Sequence, residues 1–122
     1  MKRILIVDDA VTVRMYHRQL MEALGFEVEE AENGIEAIEK GLSGSYDLFL
    51  VDVNMPKMDG YRLVEEMRKM PELQAIPVIM ISTEAADQDK EKAYLSGANF
   101  YVVKPARVDE LQTFATLLAG GY

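Results

Sequence analysis

The sequence predicts an α/β protein, a doubly wound (βα)5 three-layer sandwich around a five-stranded parallel sheet. Three observations lead there. Four short runs are apolar throughout, ILIV (4–7), LFLV (48–51), VIMI (78–81) and FYVV (100–103), as strands covered on both faces are. The segments between them carry apolar residues at helical spacing. The strand-then-helix alternation occurs five times in 122 residues, without repeats, linkers or low-complexity tracts. Such alternation implies right-handed crossovers, with helices on both faces of the sheet.

Each element has its own signal. After ILIV, Val13, Tyr16, Leu20 and Leu24 recur at steps of three and four, and Gly25 stops the first helix. FEVEEA (26–31) starts by alternating and is strongly acidic, which suits an edge strand. Asn33 caps the second helix, with Glu36 completing a capping box and Ile35, Ile38 and Leu42 as its apolar stripe. After LFLV, Asp59 and Gly60 open a third helix carrying Leu63, Val64 and Met67, with Asp59 read as its cap. The fourth helix, near 85–96, reads AADQDKEKAYLS; its thin apolar stripe marks a weakly anchored element. Val108, Leu111, Ala115 and Leu118 form the inner face of the last helix, with Phe114 beside it. Placing the acidic strand at an edge gives the flavodoxin-like order 2-1-3-4-5. Ligands of such sheets bind beyond the carboxyl ends of the strands, at the switch point beside strands 1 and 3.

Bulk composition narrows the function. The length fits one domain over residues 1–122, leaving no chain for a separate output domain, and 49% hydrophobic residues can fill its core. The absence of cysteine excludes thiol chemistry and Cys-based zinc sites. The basic start MKR precedes an apolar run too short for a signal peptide, and nothing approaches a membrane span, so a cytoplasmic domain is expected. A net charge of −8 argues against direct contact with nucleic acid. The one histidine, His17, is read as a surface or boundary residue, because metal sites rarely use a lone histidine. The eight methionines are read mainly as core filler. Nothing demands more than a monomer.

The chemistry gathers at the strand ends. Asp8 and Asp9 follow the first strand, Asp52 the third, Ser82 and Thr83 the fourth and Lys104 the fifth, with Asn54 close by. Two unit charges about 4 Å apart repel by roughly 4 kcal/mol at an effective dielectric near 20, so three carboxylates need a proton or a cation. A hard divalent ion such as Mg²⁺ suits oxygen ligands. Carboxylate, cation, ammonium and hydroxyl together make a phosphoryl-transfer kit in which a carboxylate attacks phosphorus. Asp52, single and central, is the best nucleophile. Asp8 and Asp9, adjacent, better suit the metal, which Asp52 can share. Blander readings stand beside these: Asp9 as a helix cap, Tyr101 as a space filler, and Thr83 and Glu84 as loop residues, with Pro56 and Gly60 read as loop shapers. For Asp8, Asp9, Asp52 and Lys104 together the bland reading is poor, because four unpaired charges at buried strand ends are costly.

The ILIVDD start, DVNMPKMDG, VIMIST and YVVKP, in this order and at compatible spacings, span essentially the whole chain. Together they resemble the receiver domains of response regulators, in particular the single-domain chemotaxis type. The resemblance implies that Asp52 is the phospho-acceptor, that Asp8 and Asp9 are Mg²⁺ carboxylates, and that Asn54 lends the metal its backbone carbonyl. It further implies that Ser82 is the switch hydroxyl, Tyr101 the aromatic switch residue, Lys104 the salt-bridging lysine and Pro105 a cis-proline. Asn54, Glu84 and Thr83 would tune the hydrolysis rate. The implied donor is a histidine kinase, and the implied output is a changed surface on the fourth helix, fifth strand and fifth helix. A flagellar motor switch protein is the leading target.

Three positions depart from the common pattern. Ser82 stands where Thr is commoner, Thr83 where many relatives have Ala, and Ala106 where an aromatic is frequent. Ala106 implies a different surface near the last helix from that of the common pattern. Other readings stay open: a phosphorelay intermediate, a phosphate sink, a haloacid-dehalogenase-like aspartyl-phosphate phosphatase, or an FMN carrier. The phosphatase usually has a second acid two residues after its nucleophile, where Asn54 stands here. The FMN carrier needs a Ser/Thr-rich phosphate loop after the first strand, which this sequence lacks.

Overall fold

The computed structural model describes residues 1–120. Its elements run β1 (Arg3–Val7), α1 (Val11–Glu22), β2 (Glu27–Ala31), α2 (Gly34–Ser43), β3 (Leu48–Asp52), α3 (Gly60–Lys69), β4 (Val78–Ser82), α4 (Asp87–Ser96), β5 (Phe100–Val103) and α5 (Val108–Ala119). The sheet is wholly parallel in the order β2-β1-β3-β4-β5, as the sequence predicts. Among the described residues no helix is long and apolar enough to cross a membrane.

Alternation along each strand divides the core into two layers. Leu5, Val7, Phe49, Val51, Val78 and Met80 face one side, where α2, α3 and α4 contribute Ala37, Leu63, Val64, Met67 and Ala93. Ile4, Ile6, Leu48, Leu50, Ile79 and Ile81 face the other, against Met21 of α1 and Leu111, Ala115 and Ala119 of α5. Each fully buried aliphatic side chain contributes roughly 1.5–3 kcal/mol of transfer free energy, so the central strands carry most of the stabilisation. β2 buries only Val28 and Ala31 well, as suits an acidic edge.

Two helices turn a different face inward from the one their apolar spacing predicts, and α5 keeps the predicted face with a shift at its ends. In α1 the buried residues are Arg14, His17 and Met21, while Tyr16 is exposed and Val13, Leu20 and Leu24 are half-buried. His17 is therefore an interior residue, 2% exposed, and not a surface one. In α2 the inner face is Gly34, Ala37 and Gly41, with Ile35 and Leu42 exposed and Ile38 half-buried. Small residues let this helix lie close: a Cβ on Gly41 would come within 3.0 Å of Leu73 and 3.2 Å of Phe49. In α5, Val108 is exposed and Leu118 only half-buried, and Ala119 extends the inner face of Leu111 and Ala115.

Both caps read from the sequence are present. The Asn33 side chain accepts from the N–H of Glu36, and that of Asp59 from the N–H of Arg62. α4 begins at Asp87, two residues later than its sequence pattern, and buries only Ala93 and Ser96. Its thin stripe is a real feature of the packing.

Candidate functional site

β1 and β3, adjacent at the middle of the sheet, both end in carboxylates. Asp52 closes β3 and is 6% exposed; Asp8, just past β1, is 2% exposed. Asp9 is exposed at the rim. One carboxylate oxygen from each of the three lies within 4.8 Å of the others. Lys104, following β5, reaches across to donate to Asp52 Oδ1 at 2.9 Å and to Asp8 Oδ2 at 3.1 Å. Its backbone is pinned by an N–H bond to the carbonyl of Ser82 at 2.7 Å, and the Lys104–Pro105 peptide is cis.

The floor leaves little freedom. The N–H of Gly60 donates to the carbonyl of Val53, and a Cβ on Gly60 would sit 2.5 Å from the Asp52 carbonyl oxygen. The amino end of α3 can approach the acidic pocket this closely only because residue 60 is glycine. Asp8 is fixed on every side. Its N–H donates to Ala31 O, its Oδ1 accepts from the N–H of Ala10 at 2.8 Å, and its carbonyl accepts from Arg14 Nη1 at 2.6 Å. The Asp8 side chain, not that of Asp9, thus braces the start of α1, whose cap residue is Ala10.

Electrostatics follow from this crowding. Burial pushes the Asp52 carboxyl above its ordinary value; Lys104 opposes that, and the nearby charges of Asp8 and Asp9 add to it. Burial alone would lower the Lys104 ammonium, but its bonds to Asp52 and the charge of Asp8 outweigh burial and raise it. His17 lies beneath the pocket and is lowered to about 4, first by burial and then by Lys104, with Asp8 only partly compensating.

Around the rim stand the remaining residues singled out in the sequence. Ser82 ends β4, fully buried, its hydroxyl accepting from the N–H of Glu84 at 3.1 Å. Tyr101 on β5 is 8% exposed and donates its hydroxyl proton to the carbonyl of Glu84 at 2.7 Å, tying the loop after β4 to β5. Asn54, Thr83, Glu84 and Pro105 are exposed beside the pocket. An apolar cleft of about 340 Å³ opens next to Lys104, between Val13 and Tyr16 of α1 and Pro105–Ala106. Its small Ala106 wall accepts a hydrogen bond from the Tyr16 hydroxyl at 2.8 Å.

Two charged residues here had no reading in the sequence. Arg14 and Glu30, paired at 2.7 Å, lie behind Asp8. The available signal was a second helical face, with Arg14, His17 and Met21 at steps of three and four, hidden by the more apolar Val13–Tyr16–Leu20 series.

Three carboxylates against one ammonium leave an excess of negative charge in a half-desolvated pocket. Asp8, Asp9 and Asp52 therefore fit a hard divalent cation, which prefers oxygen ligands. The fold and this pocket define a doubly wound α/β protein with an acidic site at its switch point. The family model described as the response regulator receiver domain matches residues 4–116, and the chain belongs to that family. Receiver domains are phospho-accepting signalling switches of two-component systems, not classical enzymes, and histidine kinases are their phosphodonors.

Individual relatives agree. The chain is 43% identical over 102 residues to the gliding motility regulatory protein of Myxococcus xanthus, covering 84% of this chain and 13% of that one. Indeed it spans less than half the length of the curated relatives it matches. Chemotaxis protein CheY4 of Vibrio cholerae superimposes with a TM-score of 0.90 at 30% identity, covering 97% of this chain and 98% of that one. The receiver domain of sensor histidine kinase PA1611 of Pseudomonas aeruginosa does so at 0.90 and 28%, covering 98% of each chain. That structure holds a magnesium ion coordinated in its active site cleft.

Proposed function

We propose that the chain works in the cytoplasm as one receiver domain over residues 1–122, accepting a phosphoryl group on Asp52 from a histidine kinase. The observation that carries this reading is the buried Asp52 carboxylate, hydrogen-bonded to Lys104 and crowded by Asp8 and Asp9. An Asp52 oxygen attacks phosphorus, the P–N bond of the phosphohistidine breaks, and the imidazole leaves with the electron pair. Asp8, Asp9 and Asp52, with the backbone carbonyl of Asn54, would hold Mg²⁺, which when bound supplies positive charge against the phosphoryl oxygens. Lys104 supplies charge from the other side and keeps a bond to the modified residue. The exposed Asn54, Thr83 and Glu84 govern how water reaches it, and with it the rate of hydrolysis.

The switch reading rests on the bond between Tyr101 and the Glu84 carbonyl. When Ser82 turns its hydroxyl to the new phosphoryl group it gives up the N–H of Glu84, and the loop held by Tyr101 shifts. The surface of α4, β5 and α5 then changes its affinity for a target. A tenfold change needs only about 1.4 kcal/mol of differential binding.

A role in chemotaxis, with a flagellar motor switch protein as target, is supported by the likeness to CheY4. The equal likeness to a receiver domain of a sensor histidine kinase supports a second reading as phosphorelay intermediate or phosphate sink. Pull-down of a motor switch protein only by the activated form selects the first; onward transfer to a second histidine selects the relay.

The first test is intact mass after incubation with acetyl phosphate and Mg²⁺, beside Asp52→Asn. A single phosphoryl adduct that needs both Mg²⁺ and Asp52 is the expected result. An unchanged adduct on Asp52→Asn would refute the assignment. Sustained turnover of phosphomonoesters would point instead to a phosphatase.

A further inference from the structure

The buried guanidinium of Arg14 is the strongest polar feature that the proposed chemistry does not use. It is 8% exposed, on the inner face of the first turn of α1. A charge so placed is costly unless its donors are met. Here Nη1 donates to the Asp8 carbonyl at 2.6 Å and Nε to Glu30 Oε1 at 2.7 Å. Glu30 is itself held: Arg18 donates to its other carboxylate oxygen, and Lys40 donates to its backbone carbonyl. Arg18 also bonds the Val28 carbonyl at 2.9 Å. β2, α1 and α2 thus converge on one arginine whose free end grips the peptide between Asp8 and Asp9.

We infer that Arg14 is a positioning residue for the acidic pocket, setting the Asp8–Asp9 peptide so that both carboxylates face Asp52. This deepens the Mg²⁺-site reading above and rests on it. The other bonds to Asp8 fix its N–H and its two carboxylate oxygens; Arg14 is the side chain that fixes its carbonyl. Rotation of that peptide would leave Asp8 bonded to Lys104 but swing Asp9, which is exposed and has no side-chain bond of its own among the described residues. Groups that orient metal ligands commonly govern affinity by 10- to 100-fold.

The geometry separates this role from simple charge. A lysine at position 14 keeps the charge but has one terminal nitrogen, and cannot hold the Asp8 carbonyl and Glu30 in the planar fork that arginine provides. Glu30→Gln keeps Arg14 whole and removes only the charge that aims it.

The test is Mg²⁺ affinity by calorimetry on wild type, Asp9→Asn, Arg14→Lys, Arg14→Met and Glu30→Gln, with thermal midpoints measured alongside. Acetyl phosphate labelling is then followed against Mg²⁺ concentration. Arg14→Lys and Arg14→Met should weaken Mg²⁺ about tenfold or more. Glu30→Gln should weaken it less, and labelling of all three should recover toward wild type at saturating Mg²⁺. A merely structural arginine would lower the thermal midpoint and leave the affinity of the folded protein unchanged. Wild-type binding that depends on Asp9, with affinity in Glu30→Gln and in whichever Arg14 variant folds within twofold of wild type, overturns the role of Arg14 alone. No Asp9-dependent Mg²⁺ binding in wild type overturns the site reading as well, and the inference with it.

Discussion

His17 shows how far one residue's environment can depart from its type. A histidine in water takes its proton near pH 6.5, but burial under the pocket and the charge of Lys104 lower His17 to about 4. Between those values the unfolded chain binds a proton that the folded chain refuses. Stability from this residue is therefore complete above pH 6.5, falls as pH drops toward 4, and levels off below. Integrated from pH 7.5 to pH 5, the loss is about 2 kcal/mol. Urea unfolding of wild type and His17→Leu at the two pH values isolates it, because carboxylate titrations are common to both proteins. Wild type should lose about 2 kcal/mol more than the variant over that interval. Equal losses would mean that His17 is protonated in the fold, or reaches water.

At the scale of elements, α4 is anchored much more firmly at one end than at the other. Its carboxyl end is clamped by Arg68 of α3, which donates to the carbonyls of Gly97, Gln74 and Ile76 and to the Asn99 side chain. Gly97 has a φ of +116°, and a Cβ there would come within 2.8 Å of Arg68, so the clamp needs glycine. The amino end has no side-chain cap at Ala86 and is held by a 3.4 Å bond from the Tyr61 hydroxyl to the Asp89 carbonyl, with Lys92 over the Tyr61 ring. Amide hydrogen exchange should therefore be fastest in the first turns of α4, slower toward Ser96, and slowest in α3. Protection in residues 89–92 equal to that in α3 would refute this unequal anchoring. The asymmetry matters because the loop entering α4 is the one that Tyr101 holds through Glu84. The thin pattern of AADQDKEKAYLS already exposes this weakness in the sequence, since an inner face of Ala93 and Ser96 cannot be stretched into a broad stripe. The clamp was not legible: Arg68 bonds neutral carbonyls remote in sequence, and no local pattern encodes such partners. The same limit hid the inner faces of α1 and α2, where Arg14 and His17 or Gly41 face the core and larger apolar residues face out. Apolar periodicity finds a stripe only when burial follows hydrophobicity, and near a charged site or a close helix approach it does not. The strands had no such conflict, and all four wholly apolar runs lie where they were read.

For the whole molecule, the pocket is a deliberate conflict between stability and function. The folded protein holds Asp52 above its ordinary carboxyl value, chiefly through burial. The native state therefore binds this proton more tightly than the unfolded chain does. The linked stability is present below the unfolded value and is lost as pH rises through the folded one, so at neutral pH the ionised Asp52 works against the fold. Removing the charge should relieve the conflict: without divalent cations at pH 7.5, Asp52→Asn should unfold at a higher temperature than wild type. Divalent cation acts the other way. Mg²⁺ binding only the folded state stabilises it by RT ln(1 + [Mg²⁺]/Kd), about 2.7 kcal/mol at a hundredfold excess over Kd. Wild type should gain this amount and Asp52→Asn clearly less, because one of the three carboxylates that meet within 4.8 Å is gone. Thermal melts of both proteins in EDTA and in rising Mg²⁺ measure all four quantities. Equal Mg²⁺ responses would show that Asp52 takes no part in the cation site, and a less stable Asp52→Asn in EDTA would show that its bond to Lys104 outweighs the crowding. With the predicted pattern, the same crowding of carboxylates that lowers stability in EDTA is what gives the folded protein its gain from Mg²⁺.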